Sequence, residues 1–356
     1  AMEDLGNQIH FITYSHPHRL DFFHENISYH EVTVKSYPLF EFAPYEVILA
    51  SKIVDVVKHE KLDLLHVHYA IPHASAAYMA REILKTQGIY IPIITTLHGT
   101  DITLVGRDPA FAPVVAFCIN QSDGVTAVSE DLKRETLEYF DINRDIAAIP
   151  NFIDVSRFRK QKKDHFKKAI CPNDEKLIVH TSNFRKVKRI EDVISVFNIV
   201  RKTVPSKLLL VGDGPERGIM ENMCRELDIC QDVRFLGKLD AVEEVLSVAD
   251  LFIMPSEKES FGLAALEAMA CEVPVISSNV GGLPELNIQG KTGFLSNVGD
   301  VEDMAKNAIF VLDKANLQTF RKNALNRAKE FDSNHIVPKY LAYYQQILDK
   351  NHAFAK

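Results

Sequence analysis

LFIMPSEKESFGLAALEAMAC, residues 251–271, reads as a short apolar strand that passes through a polar turn into an apolar helix. An uninterrupted apolar run from Leu251 to Met254, closed by Pro255, fits a strand buried on both faces, as in a parallel sheet covered by helices. The helix presents its first free amides near Ser260, Phe261 and Gly262, at the positive end of its dipole, where a phosphate sits naturally. Gly262 lets a ligand approach the backbone closely. Glu267 lies among Leu263, Ala264, Leu266, Ala268, Met269 and Ala270, which suggests burial almost all round, and an unpaired buried carboxylate is strongly disfavoured. Either a hydroxyl-rich ligand or a nearby Lys or Arg answers it. Glu259, beside Lys258, belongs to the same ligand site or to the surface.

The same grammar repeats on both sides of this stretch. Strands are expected at Ile9 to Thr13, Tyr29 to Val34, Leu64 to Tyr69, Pro92 to Leu97 and Gly124 to Ser129, forming one parallel sheet. A second set follows at Lys176 to Ser182, Lys207 to Val211, Val233 to Leu236, Leu251 to Pro255 and Pro274 to Ser277, with helical patterns in every gap. The expected architecture is α/β, two doubly wound Rossmann-like domains covering residues 1–152 and 153–334. A hinge is expected near Pro150 to Asp154, with a cleft between the strand carboxyl ends. A terminal helix, residues 335–350, carries Ile336, Tyr340, Tyr343 and Ile347 at helical spacing and is expected to dock back on the first domain. The basic run Arg157 to Lys168 reads as an exposed linker and helix. The chain opens inside what reads as a helix directly before the strand Ile9 to Thr13. The first strand and glycine-rich turn of such a domain are therefore expected to lie ahead of it, and the exposed sheet position left behind favours pairing with another chain, such as a homodimer.

Three further turns fall at strand ends. Ser182-Asn-Phe-Arg-Lys-Val-Lys-Arg189 gathers cations, with Lys188 suited as a point charge to a diphosphate, or else forms a solvated basic turn. Val211-Gly212-Asp-Gly-Pro-Glu216 places glycines for close approach but does not continue as G-x-G-x-x-G, so it is weak evidence for a dinucleotide. Val280-Gly-Gly-Leu-Pro-Glu285 is the fourth loop of one pocket. In the first half, Thr95-Thr96-Leu97-His98-Gly99-Thr100-Asp101 places a histidine, hydroxyls and a carboxylate after a strand, as a polar ligand site or as structure. His66 and His68 share a strand face and, with His73, could be taken for metal ligands, the lesser reading, and no aspartates are spaced as D-x-D. No metal is expected in the reaction.

Composition excludes several classes. Residues 1–152 hold 11 Lys and Arg against 20 Asp and Glu, and the remainder 30 against 28, so neither a nucleic-acid surface nor stable docking on anionic lipid is expected. No apolar run spans a bilayer and the start is no signal peptide, which makes a cytoplasmic location the expectation. The five cysteines (Cys118, Cys171, Cys224, Cys230, Cys271) contain no C-x-x-C pair and are read as reduced, mostly buried thiols.

The pair Glu259 and Glu267, E-x7-E around the phosphate turn, together with Asn183 to Lys188, Val211 to Glu216 and Val280 to Glu285, resembles a retaining glycosyltransferase of the GT-B class, in its GT4 family. Many members place an arginine five residues before the lysine, where this chain has Asn183. The segments at residues 182–189, 68–73 and 95–103 are similar to the branch of that family that acts in bacillithiol synthesis. The resemblance implies transfer of N-acetylglucosamine from UDP-GlcNAc to L-malate, with UDP-GlcNAc and L-malate as the small-molecule partners and no cofactor. It implies that Glu267 binds the ribose, Glu259 the transferred sugar and the Leu236 to Asp240 loop the uracil. Asn183, Lys188 and the amides of Phe261 and Gly262 would hold the diphosphate, and Gly212 and Ser260 would also contact the nucleotide sugar; His98 would lie near the sugar and the reacting carbon, and Tyr69 and Thr96 would contact malate. His98, Lys188 and Glu259 are the implied catalytic residues. A GT4 transferase with another sugar or lipid acceptor, a sugar-nucleotide 2-epimerase, or a non-catalytic UDP-sugar sensor are the competing readings.

Overall fold

The computed structural model describes residues 2–3, 6–17, 25–34, 41, 43–161 and 163–354. The chain divides into two compact units, one running to Ile149 and resuming from Ile336, the other spanning Pro150–His335. The boundaries at 149/150 and 335/336 replace the expected 152/153 and 334/335.

Unit 1 contains, in order, β1 (Ile9–Thr13), β2 (Ile27–Glu31), α1 (Tyr45–Glu60), β3 (Leu65–His68), α2 (Ser75–Lys85), β4 (Ile93–Leu97), α3 (Ala112–Gln121), β5 (Gly124–Ala127), α4 (Glu130–Tyr139) and β6 (Ile146–Ala148). All pairings are parallel. The strands do not form the single sheet expected from Ile9 to Ser129. β3, β4, β5 and β6 make one sheet in that order, and β1 and β2 make another. What joins the two is apolar packing, because Ile12 and Val32 cluster with Leu49 and Ile53 of α1 and Leu65 of β3. Every residue of β4 is buried, as its unbroken apolar and β-branched sequence requires of a covered central strand. β5 stops before Ser129 because that residue caps α4, its side chain accepting from the Leu132 amide at 3.1 Å.

Unit 2 holds α5 (Asp164–Ile170), β7 (Lys176–Thr181), α6 (Ile190–Val200), β8 (Ser206–Val211), α7 (Arg217–Glu226), β9 (Val233–Gly237), α8 (Val242–Leu246), β10 (Leu251–Met254), α9 (Leu263–Ala270), β11 (Val275–Ser278), α10 (Leu283–Leu286), β12 (Gly293–Ser296), α11 (Val301–Leu312) and α12 (Lys314–Lys329). Its parallel sheet runs β9-β8-β7-β10-β11-β12, the doubly wound order that reverses direction between β7 and β10. Phe184, Phe197 and the apolar faces of α6 and α11 fill the core on one side of it. Asp250, 2% exposed, anchors two helices to the sheet. Its carboxylate meets Lys167 of α5 at 2.7 Å, Arg321 of α12 at 2.6 Å and the Leu177 amide of β7 at 2.8 Å. The run Arg157 to Lys168 is thus less detached than expected of an exposed linker, since Arg157 also pairs with Glu243.

The last helix, α13 (Ser333–Phe354), is longer than the expected 335–350. From Ile336 onward it belongs to unit 1, packing Ile336 and Tyr340 on Ile149. Tyr343 accepts the Val125 amide at 2.9 Å and donates to the Val125 carbonyl at 3.1 Å.

Candidate active site

Ligands of open α/β sheets sit beyond the strand carboxyl ends at the point where winding reverses. In unit 2 that point lies between the loop after β7, carrying Ser182 to Arg189, and the loop after β10, carrying Pro255 to Gly262. The Glu257 amide donates to the Val187 carbonyl at 2.8 Å and ties the two together. The loop after β8 hooks onto the first, Phe184 donating to the Asp213 carbonyl and Glu216 to the Phe184 carbonyl, each at 3.0 Å. The loop after β11 hooks onto the second, Gly282 donating to the Glu259 carbonyl at 3.0 Å. So close an approach requires glycine: a Cβ on Gly212, where φ is +126°, would lie 1.8 Å from the Ser182 carbonyl oxygen. Gly212 also donates to Gly237 at 2.7 Å, which brings the exposed stretch Lys238 to Asp240 beside it.

Lys188 and Glu259 meet in this frame, Nζ lying 2.7 Å from Oε2, with side chains 21% and 16% exposed. Glu259 is therefore not the surface group that Lys258 beside it would suggest. Arg189 is engaged by Asp192 of α6 through bonds of 2.6 and 3.1 Å, whereas Asn183, Arg185 and Lys186 stay exposed. Of the cations in the motif, Lys188 is the one set against the β10 loop.

α9 starts at Leu263 with Gly262 as its N-cap at φ +96°. The unshared amides of its first turn are accordingly those of Leu263, Ala264 and Ala265, later than the expected Ser260 to Gly262. A Cβ on Gly262 would come 2.7 Å from Leu283 Cδ2. Ser260 is half-buried, and Phe261 is buried with its ring edge-on to Phe331 at 5.6 Å. Glu267 is less enclosed than its sequence neighbours imply. Leu263, one turn earlier, is 42% exposed and Ala264 is half-buried, so α9 leaves one face open and Glu267 stands on it.

His180 underlies the site and was not singled out by sequence reading. It is fully buried in β7; its Nδ1–H donates to the Ile253 carbonyl at 2.8 Å, which leaves Nε2 to accept from the Ser182 hydroxyl, also at 2.8 Å. Burial holds this imidazole down to about 4, so it is neutral and fixes the start of the Lys188 loop. A polar residue inside an apolar strand was the available signal.

In unit 1 the strand ends of β3 and β4 carry the histidines. His98 Nε2 lies 2.8 Å from His68 Nδ1, and the Tyr69 and His98 ring centroids are 4.9 Å apart. Burial, and secondarily His68, pushes His98 down to about 3, so it acts as an uncharged hydrogen-bonding group at neutral pH. Asp101, 3% exposed, holds the two turns together by accepting from the amides of Ala70 at 2.8 Å, Gly99 at 3.1 Å and His98 at 3.3 Å. Thr96 does not face a ligand as expected of an acceptor contact. It is fully buried, its hydroxyl shared between Thr126 at 2.6 Å and His66 Nε2 at 2.7 Å. Strand alternation explains this: Thr96 points into unit 1, and only Tyr69 and His98 lie past the strand ends. A cavity of about 300 Å³ nearby is lined by Glu46, Tyr69, Ile71, Asp101, Val105 and Phe111, among others.

Unit 2 thus gathers a helix N-terminus, a lysine and two glutamates at the switch point of a doubly wound sheet, a setting suited to an anionic, hydroxyl-rich ligand. A family model described as Glycosyltransferase Family 4 matches residues 1–157, and one described as Glycosyl transferases group 1 matches residues 161–330. The N-acetyl-alpha-D-glucosaminyl L-malate synthase of Bacillus anthracis is 46% identical over 358 residues, covering 98% of this chain and 92% of that protein. Among solved structures, the sucrose-phosphate synthase of Thermosynechococcus elongatus superposes with a TM-score of 0.80 at 22% identity, covering 98% of this chain and 91% of that one. The Anabaena protein Alr3699/HepE in complex with UDP and glucose gives 0.75 at 20% identity, covering 90% and 86%. The chain belongs to the GT4 family of glycosyltransferases.

Proposed function

We propose that this chain transfers N-acetylglucosamine from UDP-GlcNAc to the hydroxyl of L-malate with retention at the anomeric carbon, a step of bacillithiol synthesis. The observation that carries this reading is the 46% identity to an N-acetyl-alpha-D-glucosaminyl L-malate synthase over 98% of the chain. In unit 2 the diphosphate lies on the first turn of α9 and draws the Lys188 ammonium away from Glu259. Glu259, released, accepts hydrogen bonds from hydroxyls of the transferred sugar, and Glu267 accepts those of the ribose. The malate hydroxyl adds on the face that UDP leaves: the bond from C1 to phosphate oxygen breaks, the bond from C1 to the malate oxygen forms, and the hydroxyl proton passes to the departing phosphate. Lys188 and the α9 dipole stabilise the charge that builds on that phosphate. Tyr69 meets the acceptor on its His98 side. The cavity beside Tyr69 is a poor seat for a dianion, because its charged lining residues, Glu46 and Asp101, are both acidic.

The test is UDP release from UDP-GlcNAc in the presence of L-malate, other 2-hydroxy acids, sugars and lipid acceptors. Stimulation by L-malate above the others is expected. Conversion of UDP-GlcNAc without any acceptor would replace the reading with an epimerase, stimulation by a lipid or sugar with another GT4 transferase, and tight UDP binding without turnover with a sensor.

A further inference from the structure

Away from the site described above, β1, β2 and the end of α1 bring together three side chains that the transfer reaction does not use. His10 of β1 and His30 of β2 lie on the same face of a two-stranded parallel sheet, with Ile12 paired to His30 and His10 to Ser28 across the ladder. His10 Nδ1 and His30 Nε2 are 2.9 Å apart, and the rings stack with centroids 5.2 Å apart. Glu60, the last residue of α1, completes the group: one ligand atom from each of the three lies within 4.8 Å of the others. Among the described residues no other set of three histidine, cysteine or acidic side chains converges in this way. In the second histidine group, His66 spends both nitrogens on Tyr344 and Thr96, and His68 Nδ1 faces His98 Nε2.

We propose that His10, His30 and Glu60 form a binding site for a divalent transition cation of the zinc class, with solvent completing the coordination. Two imidazole nitrogens and one carboxylate oxygen are the donor set that a borderline-soft cation takes. Tetrahedral bonds of about 2.0–2.1 Å place ligand atoms roughly 3.3 Å apart, so the two nitrogens need open by only a few tenths of an ångström from their present contact. Lys52, on the same helix as Glu60, is drawn toward Asp55 at 3.6 Å. Bound there, the cation would link both strands to α1. That matters because an isolated two-stranded sheet is marginal on its own. The site is structural and separate from transfer, so it stands or falls independently of the acceptor.

The experiment is equilibrium titration of the chelator-stripped full chain with Zn²⁺, and in parallel with Co²⁺ read by its visible absorption. One equivalent is expected to bind and to raise Tm. The H10Q/H30Q double variant should lose that equivalent, and E60Q, at an exposed position outside the core, should weaken it about tenfold or more. A wild-type chain that takes up no metal, or uptake that is unchanged in both E60Q and H10Q/H30Q, would overturn the site.

Discussion

At the residue scale the pair Lys188–Glu259 sets the strongest expectation. Removing the ammonium in K188A takes away a charge aimed at the leaving phosphate, and kcat should fall about 10²- to 10³-fold. E259A separates the two roles. UDP alone should bind at least as tightly as to the wild type, since the ammonium loses its competing carboxylate, while turnover falls; calorimetry with UDP beside steady-state rates checks this, and weakened UDP binding would contradict it. Thr96 gives the opposite pattern. Its buried hydroxyl serves Thr126 and His66, so T96V should lower stability by about 1–3 kcal/mol, read by denaturant unfolding, without a selective rise in the KM for malate. That Lys188, Glu259 and Gly262 fall at the strand-end loops of one sheet, with Glu267 on the helix that follows, was legible in the sequence, because charge and glycine at a strand end have few uses in a sheet. Thr96 was not, because two adjacent threonines at 95 and 96 give no sign of which way either points. The open face around Glu267 was hidden by the apolar Leu263, which the fold leaves exposed.

At the scale of elements, β7 and β10 carry most of what can be tested. Asp250 precedes β10 and holds α5 and α12 through Lys167 and Arg321. D250N leaves those cations facing a neutral amide and should cost roughly 3–5 kcal/mol of stability in unit 2. His180 in β7 adds a pH dependence. Its folded value is near 4 against 6.5 in an unfolded chain, so between those values the unfolded state binds the extra proton and stability falls as pH falls. The loss from this group starts near pH 6.5, reaches about 3 kcal/mol by pH 4 and then levels off. Melting curves from pH 7 to 4 should show that slope, flattened in H180Q; an equal slope in H180Q would contradict it. Strand existence was legible where apolar runs were long, as in Ile93 to Leu97. β6 and β12, edge strands of three and four residues, were missed because so short a run carries no period. The separation of β1 and β2 from the sheet of β3 to β6 was also missed, since sequence pattern marks strands but not which of them share a ladder.

For the whole molecule, the two-unit plan was legible from the restart of strand and helix patterns after Asn151. The division itself depends on α13, which begins within unit 2 and joins unit 1 from Ile336. The second unit holds the loops that bring Lys188 to Glu259, and the first, described by itself, holds Tyr69 and an uncharged His98. Among the described residues no helix is long and apolar enough to cross a membrane. Transfer to L-malate is the central claim, and one measurement bears on it most directly: mass and anomeric configuration of the product formed from UDP-GlcNAc with and without L-malate, in EDTA. The account predicts an α-linked N-acetylglucosaminyl malate that forms only when malate is present and is unaffected by the chelator. A product lacking malate, one that requires a metal ion, or one with the inverted β linkage would contradict it.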